Sequence, residues 1–134
     1  MNSIGTYEEL LPCGGKLKVT KSSWEIAYYF SGPDFRYNGT FFSIPGNSIE
    51  HYITAFHENW LEYEKLKDFI PSGGEFSKNG KMGMTIRIGN FAQGVCLHSY
   101  HLPIYSIHRL EKIIAGYRYA TERAPKIQEF LSAL

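Results

Sequence analysis

The segment 47-NSIEHYITAFHENWLEYEKLKDFI-70 decides how the chain is read. Apolar side chains recur at Ile49, Tyr52, Ile53, Phe56, Trp60, Tyr63, Leu66 and Ile70, in steps of three and four. That spacing lines one face of an α-helix. Asn47 stands where an N-cap belongs, and Glu50, three residues on, completes a capping-box pattern. Glu58, Glu62 and Lys65 fall on the opposite side. The sequence 71-PSGG-74 follows at once and requires the helix to stop near Ile70.

Working outward, the period changes. KLKVT (16–20) alternates as a strand does, and WEIAYYF (24–30) is rich in aromatic and β-branched residues. SGPDFRYNG (31–39) is dense in turn formers, and GTFFSIP (39–45) reads as a short third strand. Beyond the helix, MTIRIG (84–89) alternates again, and NFAQG (90–94) has the composition of a hairpin turn. VCLHSYHL (95–102) is expected to return antiparallel as a single strand. SIHRLEKIIAGYRYA (106–120) restores helical spacing, with Ser106 as a cap. Pro125 is expected to open a short terminal helix or to mark the last segment of a kinked one. The expected fold is a single α+β domain over residues 1–134. Its mainly antiparallel sheet of about five strands packs against one long helix and a C-terminal helical segment.

A chain of 134 residues can bury a real core without staples, and 43% hydrophobic with 20% charged residues is ordinary globular composition. A net charge of +1 gives no global field for nucleic acid or anionic lipid. Locally the charge is uneven. Residues 47–69 hold five acids against two bases, a net of −3, and residues 70–108 carry a net of +2 from Lys78, Lys81 and Arg87 against Glu75. No stretch of 18 apolar residues predicts a membrane span, and the first residues lack a basic leader followed by an apolar run. Cys13 and Cys96 are expected to be free thiols in a reducing cytoplasm.

The densest chemistry lies in 94-GVCLHSYHLP-103. On one strand, Cys96, His98 and Tyr100 share a face, while His98 and His101, three apart, diverge. A zinc site needs three or four converging ligands, and the chain has no CxxC or HExxH. A cysteine between Val95 and Leu97 is ordinarily a packing residue, so the segment reads as a half-buried strand. His51 and His57 stand about 240° apart around the first helix and cannot share a ligand. SKNGKMG (77–83) is no phosphate loop. Neither metal, cofactor nor catalytic residue is expected.

The order NSIEHYITAFHENWLEYEKL, MGMTIRIG, GVCLHSYHLPIYSI and a closing KIQEFLSAL resembles small bacterial immunity proteins. These accompany toxins of contact-dependent growth inhibition and related polymorphic toxin systems. The resemblance covers residues 47–134 and lies in element order and composition. It implies a cytoplasmic, non-enzymatic protein that binds one cognate toxin domain and blocks it, with no membrane or nucleic-acid partner. Such toxins are often nucleases with basic clefts, for which an acidic surface would be complementary. The expected contacts are Glu58, Glu62, Glu64 and Asp68, with Tyr28, Tyr37 and Tyr100 as aromatic candidates on the strands. Two alternatives stay open: a small enzyme or ligand-binding domain with a pocket at His98, Tyr100 and His101, and nucleic-acid binding through the basic residues of 109–126.

Overall fold

Alternation in the first third of the chain builds an antiparallel meander of four strands: β1 (Tyr7–Leu10), β2 (Lys16–Val19), β3 (Trp24–Tyr29) and β4 (Thr40–Pro45). A second meander follows the first helix: β5 (Phe76–Asn79), β6 (Thr85–Ile88), β7 (Gly94–His98) and β8 (His101–Ile104). The helices are α1 (Ile49–Lys67) and α2 (Ile107–Ser132). These come from a computed structural model, which describes residues 5–12, 14–29, 40–71, 73–89, 93–98 and 101–134, with the backbone alone at Thr40, Phe41, His98 and His101. The class is α+β with antiparallel pairing, but the single sheet of about five strands is corrected to two sheets of four. The chain divides into two compact units, Met1–Ile49 with Lys112–Leu134, and Glu50–Glu111.

In the first unit one sheet face carries Leu17, Val19, Ile26, Tyr28 and Ile44, all buried. Leu17, Ile26 and Ile44 stand in one row across three strands. The next row, on the other face, reads Glu8, Lys18, Glu25, opposite charges side by side. From α2 the unit takes a buried stripe of Ile113, Tyr117, Ala120, Ala124, Ile127 and Leu131. Sheet and helix meet at Tyr28 and Tyr117, whose hydroxyls are 2.5 Å apart.

Pro125 does not break α2, which runs through it to Ser132. Proline inside a helix costs about 3 kcal/mol. Ile127 and Leu131 beyond it are both buried. Burial of each is worth about 1.5–3 kcal/mol, enough to carry the helix on. Ser106 caps the other end as expected, accepting the Arg109 N–H at 3.1 Å.

In the second unit α1 buries Ile53, Phe56, Trp60 and Tyr63, and leaves Tyr52 and Leu66 half-buried. Asn47 lies inside a 3₁₀ turn, Gly46–Ser48, which leads into the helix in place of the expected capping box. The sheet contributes a row of Ile86, Val95 and Ile104, all buried. Residues 95–102 are not one strand. The chain reverses so that His98 of β7 stands opposite His101 of β8. β7 is thereby an inner strand, and Val95, Cys96 and Leu97 are all buried, where a half-buried strand was expected. Pro103 sits in β8, an edge strand, where its missing N–H removes no ladder bond on the free side. Gly94 has φ +123, and a Cβ there would overlap the Ile104 carbonyl.

Candidate functional site

The outward face of α1 follows from the buried one. With about 100° per residue, Glu50, Thr54, Glu58, Leu61, Lys65 and Asp68 fall opposite the Phe56–Trp60–Tyr63 stripe. Leu61 lies at the middle of that face and is 62% exposed. Phe69, just past the helix, is 81% exposed. Of the acids expected as contacts, Glu58 and Glu64 lie one turn from the leucine on either side, Glu62 stands one step around the helix and Asp68 two turns on.

Those acids are not free. Lys81 Nζ lies 3.1 Å from Glu58 Oε1. Lys78 of β5 donates to Glu62. Glu64 accepts from Trp60 Nε1 at 3.0 Å and from Lys67 at 3.3 Å. Asp68 is exposed and has no ion pair among the described residues. Lys78 and Lys81 reduce the net −3 of residues 47–69 to −1.

What holds Lys81 in place is a residue the sequence reading passed over. Asn59 is 1% exposed, and among the described residues it is the one buried polar side chain. Its Oδ1 accepts the Lys81 N–H at 2.9 Å, and its Nδ2 donates to the Lys81 carbonyl at 3.1 Å. Nδ2 also lies 3.1 Å from the sulfur of Met84. The amide thus closes the loop before β6, in which Met82 adopts φ +55. A polar residue set between Phe56 and Tyr63 on an apolar helical stripe was the signal available.

The tyrosines separate. Tyr28 is 3% exposed with its hydroxyl against Tyr117, so it is corrected from a partner contact to a core residue of the inward face of β3. Tyr37 and Tyr100 lie outside the described residues. So does Cys13, whereas Cys96 is buried, and burial pushes its thiol up although Arg87 pulls the other way. His98 and His101, expected to diverge, are brought opposite each other by the backbone register. Among the described residues no group of three metal-ligating side chains forms, and no helix is long and apolar enough to cross a membrane.

A second cluster lies in the first unit, where Glu9 on β1 meets α2. Tyr7 donates to Glu9 Oε1 at 2.7 Å, Arg123 Nε to the same oxygen at 2.8 Å, and Tyr119 to Oε2 at 2.5 Å. Arg123 Nη2 also donates to the Tyr7 oxygen at 3.1 Å. Burial pushes the Glu9 carboxyl up, but the bonds from Tyr119, Tyr7 and Arg123 together outweigh it and hold it below its ordinary value. Compared with protein families, characterised proteins and solved structures, the chain matches none.

Neither cluster presents an unpaired nucleophile beside a base. Apart from Asp68, each holds its acids in pairs near exposed apolar residues, Leu61 and Phe69 in one unit, Leu10 and Tyr119 in the other. Such surfaces are suited to burial against another molecule.

Proposed function

We propose that this chain is a stoichiometric inhibitor that binds a cognate bacterial toxin domain in the cytoplasm, without chemistry of its own. The observation that carries it is Leu61, 62% exposed at the centre of the α1 face, with Glu58 and Glu64 one turn away on either side and His57 and Lys65 beside them. An apolar centre flanked by charged residues is the anatomy of an interface hot spot and its water-excluding rim. The resemblance of residues 47–134 to contact-dependent growth inhibition immunity proteins supports the same reading. The paired lysines alter its electrostatic half. With Glu58 and Glu62 held by Lys81 and Lys78, the face is less acidic than its own residues make it, which supports a nuclease no more than other toxin activities.

Native mass spectrometry of the chain recovered from its host should show a one-to-one complex with a second protein. Expressed alone, that protein should arrest growth, and co-expression of this chain should restore it. Leu61→Asp should abolish the rescue while leaving the circular dichroism of the chain unchanged. A harmless partner, or full rescue by both Leu61→Asp and Phe69→Asp, would overturn the proposal.

The register that sets His98 opposite His101 favours a second reading, a small ligand-binding or enzymatic site at the β7–β8 hairpin with Tyr100. A small molecule or metal retained in the native mass spectrum, and lost in a His98→Ala, His101→Ala variant, would move the assignment there.

A further inference from the structure

β1 is an edge strand, and its outer edge is paired with no described residue. The Leu11 N–H donates to Gly15 and the Thr20 N–H to Ser23, both at 2.8 Å, which fixes the phase of the two neighbouring ladders. Tyr7 and Glu9 therefore bond inward to Val19 and Leu17, and the N–H and C=O groups of Glu8 and Leu10 point outward. Beside this edge lies a groove of about 400 Å³. Glu9, Leu10 and Pro12 form one wall, with the Glu9 carboxylate taken up by Tyr7, Tyr119 and Arg123, and Lys112, Ala115, Gly116 and Tyr119 form the other. The four α2 residues are spaced i, i+3, i+4, i+7 and so make one helical stripe, with the small pair as the floor. Leu10 is 76% exposed, and Lys112 has no ion partner among the described residues. The Tyr7–Glu9–Tyr119–Arg123 network ties strand to helix and holds the walls in register.

We infer that this groove takes an extended segment of a partner protein, added as a fifth strand on β1. One of its apolar side chains lies over Ala115 and Gly116, and an acidic side chain two residues away meets Lys112. The outward main-chain groups specify a strand rather than a helix, since only an extended backbone can satisfy alternate residues of an edge. The lone ammonium specifies the acid. The spacing agrees: Lys112 and the small pair are about 5 Å apart along the helix, and side chains two apart on a strand are about 7 Å apart. This surface stands independently of the α1 face, and its failure would leave the proposed inhibition untouched.

The probe is an acetylated and amidated hexapeptide, Thr-Ile-Thr-Phe-Thr-Glu, titrated into the full isotope-labelled chain. Amide signals of Glu8 and Leu10 should shift, together with those of Ala115 and Gly116. Two half-methylated copies of the peptide, each N-methylated at alternate amides, should differ: one keeps binding and the other loses it. Lys112→Glu should weaken binding about tenfold, as expected on replacing an attractive charge pair by a repulsive one. Ala115→Tyr, an exposed substitution that fills the groove, should weaken it as much. Absence of any shift at millimolar peptide, equal behaviour of the two methylated copies, or concentration-dependent dimerisation through β1 in sedimentation would each overturn the inference.

Discussion

Asn59 offers the sharpest test of how the second unit is built. Asn59→Ala removes the acceptor of the Lys81 N–H and the donor to the Lys81 carbonyl, at 2.9 and 3.1 Å. A buried group left without its partner costs about 1–3 kcal/mol. Lys81 itself is exposed, so water reaches part of its backbone, and a loss of about 2 kcal/mol for the pair is expected. Gly80 makes the reasoning testable without relying on that figure. A Cβ on Gly80 would stand 2.7, 2.9 and 3.1 Å from Oδ1, Cγ and Nδ2 of Asn59, and those are its three nearest atoms. Gly80→Ala alone should therefore cost about 1–3 kcal/mol through overpacking. In the Asn59→Ala background the same change should cost almost nothing. Urea unfolding followed by circular dichroism measures all four corners of the cycle, with an expected coupling of at least about 1 kcal/mol. Additive losses would refute the packing of Asn59 on Gly80, and a loss under about 0.5 kcal/mol for Asn59→Ala would refute the buried amide clamp.

Three further outcomes follow from the geometry. Because the Glu9 carboxyl is held below its ordinary value of 4.5, its contribution to stability is present above that pH and is lost as pH falls through the lower folded value. Urea midpoints should therefore drop less between pH 5 and pH 3 in Glu9→Gln than in the unmodified chain, and parallel curves would refute the network. Tyr28→Phe and Tyr117→Phe should each cost about 1 kcal/mol in urea titrations, and the double variant clearly less than the sum, since one hydrogen bond is shared between them. In a Cys13→Ser background the buried Cys96 thiol should react with a disulfide reagent only at the rate of unfolding, and rapid labelling under native conditions would contradict its burial.

What could be read from the sequence tracks what is buried on a regular period. The buried face of α1 was legible because Ile53, Phe56, Trp60 and Tyr63 lie in the core at helical spacing. β2, β3 and β4 were legible because they alternate or carry aromatics. The strands missed are β1 and β5, YEEL and FSKN. Both are edge strands, with one paired side and no buried residue, so nothing compels an apolar pattern. The reversal between His98 and His101 was hidden because VCLHSYHL holds no Gly, Pro, Asn or Asp to mark a turn. Asn59 was hidden for the opposite reason: a single polar residue in an apolar stripe looks like noise until the backbone it satisfies comes from 22 residues away.

Charge was the least legible property, and its misreading bears on mechanism. A window count assigns −3 to residues 47–69, but the two lysines that answer Glu58 and Glu62 lie 23 and 16 residues downstream and arrive through the meander. Beyond a Debye length of about 8 Å the remaining field is screened, so the α1 face steers a partner only weakly. Each exposed ion pair is worth about 0.2–1 kcal/mol. Burying Leu61 and Phe69 against a partner is worth about 1.5–3 kcal/mol each. On the proposed reading the apolar residues would therefore dominate the energetics of this face, and the charged pairs would exclude water and set register. In the proposed complex, substitutions at Leu61 and Phe69 should act on its lifetime, because contacts made after encounter set dissociation rather than association. Reversing Glu58 and Glu62 frees Lys81 and Lys78 as it removes the acids, so its effect on binding mixes a lost attraction with a newly exposed positive patch.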